Sequence, residues 1–176
     1  MKDHQRVAGA DVTDTVIVAL RRGHEKVPAM DLAKLFFVGN LLATGLMTGV
    51  IWFVQIVHYP LFAHVSKADF ARYHTIHSDR TTRVVALPML LELVLSGLLL
   101  VVRPFGMSAI VAWLGFALAV AAWGSTFFIA VPLHSQLGGG HDTAIIARLV
   151  ATNWLRTVIW TAHLALLAYT LLRLLL

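Results

Sequence analysis

The sequence predicts an all-α integral membrane protein, a bundle of four spanning helices. Three observations predict it. Of the 176 residues, 59% are hydrophobic and 13% are charged, with a mean hydropathy of +0.78. A soluble domain carries about 45–50% apolar and about 25% charged residues. The apolar residues fall in four runs, each near the ~20 residues that cross a bilayer at ~1.5 Å per residue. Prolines and polar stretches separate the runs. One small water-exposed domain cannot bury this much apolar surface, which excludes a soluble enzyme and a disordered chain. The net charge of +5 and the pI near 10.1 therefore belong beside lipid headgroups rather than on nucleic acid. The absence of cysteine excludes disulfides, thiolate metal sites and cysteine nucleophiles.

Residues 1–30 read as a polar, disordered or surface-lying tail. Their apolar run, Val16 to Leu20, is too short to span a bilayer or to serve as the core of a signal peptide. Met30, at "MDLAKLFF", is an alternative natural start. The membrane domain covers residues 31–176. Its first span runs from about Leu32 to Val57 and ends at His58-Tyr59-Pro60. The second runs from about Val84 to Val102, with Pro88 inside it as a kink, and stops at Arg103-Pro104. The third runs from about Ser108 to Val131 and ends at Pro132. The fourth runs from about Thr152 to Leu172. Proline removes a helical donor and fits helix ends.

The second and third spans are joined by a short turn, so they are antiparallel neighbours. The other two connections are longer and polar. Ser66-Lys67-Ala68-Asp69 reads as a capping box. Asp142 reads as an N-cap after Gly138-Gly139-Gly140. Each connection is expected to carry a short interfacial helix. The halves also read alike, apolar helix, proline, polar helix, apolar helix, which suggests a tandem repeat of two hairpins. Any two membrane hairpins share such features, so chance similarity stays open. Lysine and arginine are spread almost evenly over both faces. Taking Arg83 and Arg156 as site residues rather than loop charges places both termini in the cytoplasm of a multi-pass cell-membrane protein.

The nine histidines are the most informative feature. His58, His64, His74, His77, His134 and His141 fall at one membrane face, and His163 lies deeper in the fourth span. At ~100° per residue, Asn40, Thr44, Thr48, Gln55 and His58 share one quadrant of the first span. Gly45 and Gly49 form a GxxxG pair suited to close helix approach. Asn153, Arg156, Trp160 and His163 share a stripe of the fourth span. Glu92 aligns with Pro88 and Ser96, and with His74, Ser78 and Thr81 if the helix is continuous. A charge near the bilayer centre costs about 2.5–3.5 kcal/mol, so Glu92 is expected to be neutral or paired, with His163 and Arg156 as candidates. The bland alternative is a carboxyl group that only holds helices together.

Histidine titrates near neutral pH and suits general base work. His58, Glu92, His134, Arg156 and His163 are the expected catalytic set. Gln55, Asn153 and Trp160 are the expected substrate contacts. His74 and His77, at i and i+3 on one helix face, are candidate metal ligands, with solvent-facing imidazoles as the bland alternative. Arg156 suits an anionic ligand or lipid phosphate, or is a snorkelling side chain.

At "GVIWFVQIVHYPLFAHV", "FARYHTIHSDRTTRVVALPMLLEL" and "ATNWLRTVIWTAHL" the chain resembles small bacterial four-helix membrane proteins of unassigned role. It is more distantly similar to the DUF1772, or anthrone-oxygenase-like, family. The resemblance covers about residues 32–172. It implies an oxidoreductase or oxygenase acting on a lipophilic aromatic or quinone-like substrate, without an evident cofactor. The histidine-rich face is not part of that pattern.

Three functions remain open at this stage. The first is an interfacial oxygenase, with histidine bases and Arg156, Asn153 and Gln55 stabilising an oxyanion. The second is a binder of a His-ligated metal or haem. The third is a transporter or accessory subunit, with Glu92 and His163 as a proton relay, which requires a homo-oligomer. The expected partners are the lipid bilayer and a small lipophilic ligand.

Overall fold

The computed structural model describes residues 31–176, so the reading of residues 1–30 as a tail lies outside the described residues. The fold is all-α. Four helices are long and apolar enough to cross a membrane: α1 (Leu32–His64), α2 (Phe70–Leu98), α3 (Ala109–Leu137) and α4 (Thr143–Leu175). Helix α1 packs against α2 and α4, and α3 packs against the same two. This closes a four-membered bundle with α2 and α4 on one diagonal.

The bundle buries polar side chains among its apolar core residues and turns large apolar side chains outward. Buried polar side chains run through its length, among them Asn40, Thr44, Gln55, Glu92, Asn153 and His163. Leu42, Leu87, Phe128 and Val158 are more than half exposed. Water would penalise both choices. Lipid favours both, because acyl chains meet the apolar rim and polar groups find partners only inside. This is the arrangement of a multi-pass membrane protein.

The helices extend beyond the predicted spans. Phe70 to Leu98 is one helix, and the segment after Asp142 is continuous with α4, so no separate interfacial helices form there. The caps explain where they start. Asp142 Oδ1 accepts the Ala144 and Ile145 N–H groups at 2.8 and 3.1 Å. Ser66 Oγ accepts the Asp69 N–H at 3.2 Å, just before α2 begins. The α2–α3 turn contains Gly106 at φ +93°, a left-handed conformation that glycine adopts without cost.

Pro60 and Pro132 do not end their helices. In α1 the Tyr59 N–H reaches back five residues to Val54 O, making a π-helical turn over Val54–His58. In α3 the Val131 N–H does the same to Thr126 O, over Thr126–Ala130. In both cases the residue preceding the proline makes the wide bond. The turn accommodates the ring and the missing N–H, and the helix continues. Pro88 also lies within a continuous helix.

Gly45 and Gly49 do not serve close packing. A Cβ at Gly45 would lie 3.8 Å from Leu164, and one at Gly49 would meet nothing within 4 Å. Their missing side chains leave space between α1 and α2.

Candidate functional site

The predicted site residues separate into two groups at different depths. Along α2, His77 and Glu92 are fifteen residues apart, a rise of about 22 Å.

The deeper group is built on Glu92. Its Oε1 accepts from Thr44 Oγ1 at 3.2 Å and faces His163 Nδ1 at 2.8 Å, and its Oε2 accepts from Trp160 Nε1 at 2.8 Å. Glu92 and His163 are wholly buried. Thr48 Oγ1 ties α1 to α4 through Trp160 O at 3.1 Å, and Asn40 and Ser96 exchange hydrogen bonds between α1 and α2. Trp160, expected to touch substrate, is instead a buried donor to Glu92.

Among the described residues His163 Nε2 has no hydrogen-bond partner. It lies against Gly115 of α3, where an added Cβ would stand 3.3 Å away. Glu92 holds the other side of the ring, so the imidazole cannot retreat. Gly115→Ala is expected to lower stability by roughly 1–3 kcal/mol through overpacking. An unfolding midpoint equal to that of the unsubstituted protein would contradict this.

The shallower group gathers four of the six same-face histidines. His58 Nε2 lies 2.6 Å from His77 Nδ1, and His74 Nε2 lies 2.9 Å from His134 Nδ1. The His77 and His134 rings are 5.8 Å apart and stacked. Phe62, fully buried, packs edge-on against His58, His74, His77 and His134. His64 is exposed, and His141 packs against Phe70 away from the four.

Arg156 joins this group rather than Glu92. Its Nη2 donates to Tyr59 Oη at 3.1 Å and to Asn153 Oδ1. Tyr59 Oη lies 2.8 Å from His134 Nε2. A guanidinium only donates, so Tyr59 accepts from Arg156. His134 thereby bridges Tyr59 and His74 through its two ring nitrogens, and its tautomer sets which way each bond runs. The amides behind Arg156 are ordered the same way. Asn153 Nδ2 donates to Gln55 Oε1 at 2.8 Å, and Gln55 Nε2 donates to Val150 O at 3.2 Å. Gln55 and Asn153 line neither large cavity and act by holding Arg156.

Two cavities flank the histidines and share the wall formed by His77, Thr81 and Val85. The first, about 790 Å³, is a groove between α1 and α2. Gly45, Gly49, Val50, Phe53 and Val84 line it, and its polar end carries His58, His77, Arg80 and Thr81. The second, about 480 Å³, lies toward α3 and α4. Tyr59, His74, Ser78, His134 and Arg156 line it.

His74 and His77, the candidate metal ligands, turn their bonded nitrogens to different partners. His74 faces His134, whereas His77 faces His58 and, at 3.2 Å, Thr81. Among the described residues no group of three or more His, Cys, Asp or Glu side chains is arranged to hold a metal ion. The sequence reading passed over Tyr59 and Phe62. Their place directly after His58, in "HYPLF", was the available signal. The chain matches no protein family, no curated protein and no solved structure.

Proposed function

We propose that the protein is a membrane oxidoreductase that uses dioxygen to oxidise a lipophilic aromatic molecule, oxygenating an anthrone or converting a quinol to its quinone with release of hydrogen peroxide. The observation that carries this reading is the α1–α2 groove, apolar along its length and closed at one end by the His58–His77 pair. A flat aromatic molecule reaches such a groove directly from lipid. Phe53 and Tyr73 offer ring contacts there, and Phe53 stacks on His58.

His77 or His58 takes a proton from an activated C–H or O–H of the substrate, and the close pair shares it. Arg80, which has no ion-pair partner among the described residues, and Thr81 stabilise the enolate or phenolate oxygen at the same end. Dioxygen is the oxidant. For an anthrone, the carbanion adds dioxygen to give a hydroperoxide. Loss of water from it leaves a carbonyl, so the carbon gives up both hydrogens and one oxygen atom leaves as water. Arg156, expected to stabilise the oxyanion, lies across the His77 wall and lines the other cavity, and Arg80 takes that place.

The test is dioxygen uptake with an anthrone or quinol by the purified protein in proteoliposomes, against protein-free liposomes. A rate above the blank is expected. Gly49→Phe, which fills the open space beside α1, is expected to raise KM by at least about tenfold, as loss of a well-packed ring contact does. The fold should persist, because nothing lies within 4 Å of the added Cβ. No rate above the blank, or an unchanged KM in Gly49→Phe, would remove this reading.

A further inference from the structure

The second cavity contains a buried cation that no acidic side chain among the described residues neutralises. Arg156 is 8% exposed. Its acceptors, Tyr59 Oη and Asn153 Oδ1, are both neutral, and its Cζ sits 5.9 Å from the Tyr59 ring centroid. Among the described residues its Nε and Nη1 make no hydrogen bond. Among the described residues, four acids have partners elsewhere. Asp79 pairs with Arg83, Glu92 with His163, Asp69 accepts from Ser66, and Asp142 caps α4.

An unneutralised guanidinium inside a membrane bundle is costly, yet Gln55 and Asn153 hold this one in a fixed place. An independent observation points into the same space. Ser78 lines the same cavity, and its buried Oγ has no hydrogen-bond partner among the described residues. Thr81 and Ser135 add hydroxyl groups to the lining. Water would satisfy the free N–H groups but not the charge, and a metal cation would be repelled.

We infer that the second cavity binds an oxyanion, a carboxylate or phosphate group held by Arg156 and hydrogen-bonded by Ser78. This site is separate from the groove, on the far side of His77, and does not depend on the oxygenase reading. The same chemistry has two sources, the headgroup of an anionic lipid or a free solute.

The experiment is thermal unfolding of the full-length protein in neutral detergent, followed by tryptophan fluorescence. One arm adds sodium phosphate or sodium acetate against sodium chloride at equal ionic strength. The other adds phosphatidic acid against phosphatidylcholine in mixed micelles. A saturable rise in Tm with phosphate, acetate or phosphatidic acid is expected. A rise with the salts alone identifies a free solute, and a rise with phosphatidic acid alone identifies a headgroup. Arg156→Gln is expected to weaken the apparent affinity roughly tenfold to a hundredfold, the loss of a charge-assisted hydrogen bond. Ser78→Ala weakens it less, and Arg72→Gln, on an exposed guanidinium that lines neither cavity, leaves it unchanged. No shift beyond the chloride and phosphatidylcholine controls, or an equal shift in Arg156→Gln, overturns the inference. If Arg156→Gln does not fold, Ser78→Tyr, which fills the cavity, replaces it, and an undiminished response there overturns the inference equally.

Discussion

Glu92→Ala is expected to lower the stability of the bundle by about 2–4 kcal/mol, since each buried polar group left unsatisfied costs about 1–3 kcal/mol. The size follows from what converges on the carboxylate. Thr44 from α1 and Trp160 and His163 from α4 all address its two oxygens. Alanine leaves three polar side chains from two helices without their shared partner, where no water replaces it. The measurement is the midpoint of denaturant unfolding in mixed micelles. Glu92→Gln, which keeps an acceptor oxygen, is expected to fall between alanine and the unsubstituted protein. The double variant Glu92→Leu, His163→Leu is expected to lose less than Glu92→Ala alone, because it removes both polar partners together. A Glu92→Ala protein with an unchanged midpoint would show that the carboxylate does not hold the helices together.

His77→Ala is expected to reduce turnover by about 10²- to 10⁴-fold, the usual contribution of a positioned general base. His77 is the imidazole that lines both cavities and touches His58. Its ring sits at the polar end of the groove and not along its apolar length. The loss should therefore appear in kcat, with KM little changed. Gly49→Phe should show the reverse pattern, since it blocks the groove and leaves the imidazoles in place. His134→Ala is expected to cost less, because His134 lines only the second cavity. Equal losses in His77→Ala and His134→Ala would place the chemistry in the second cavity instead.

Much of the fold was legible because lipid imposes a simple rule on each span. The stripe Asn40, Thr44, Thr48 and Gln55 is buried, as its angular spacing required. The face joining His74, Ser78, Thr81 and Glu92 is real because α2 is continuous from Phe70. The assignment of His163 to Glu92 was also within reach, since an ionisable group in lipid needs a partner. Other features depended on how the helices are set against one another. Arg156 and His163 share one stripe of α4, seven residues or about 10 Å apart. Which of them meets Glu92 depends on the axial offset of α2 and α4, and spacing within one helix carries no information about that. The glycine pair misled for a similar reason. GxxxG marks a smooth helix surface, and whether another helix or an open groove covers it is decided by the neighbours.

The wide turn before Pro60 has a consequence for how the two groups are aligned. Relative to a regular helix, it amounts to one extra residue, so the chain after it is turned by about 100° from where it would otherwise point. The upper part of α1, which meets Glu92, and the lower part, which carries Tyr59 and Phe62, are therefore set in rotation independently of each other. Deleting a single residue within Val54–His58 would restore the ordinary winding. It would leave the Thr44–Glu92 contact in place and swing Tyr59 and Phe62 away from the imidazoles. The turn thus works as a phase adjuster between the buried Glu92 group and the histidine cluster, and evolution can tune one without disturbing the other.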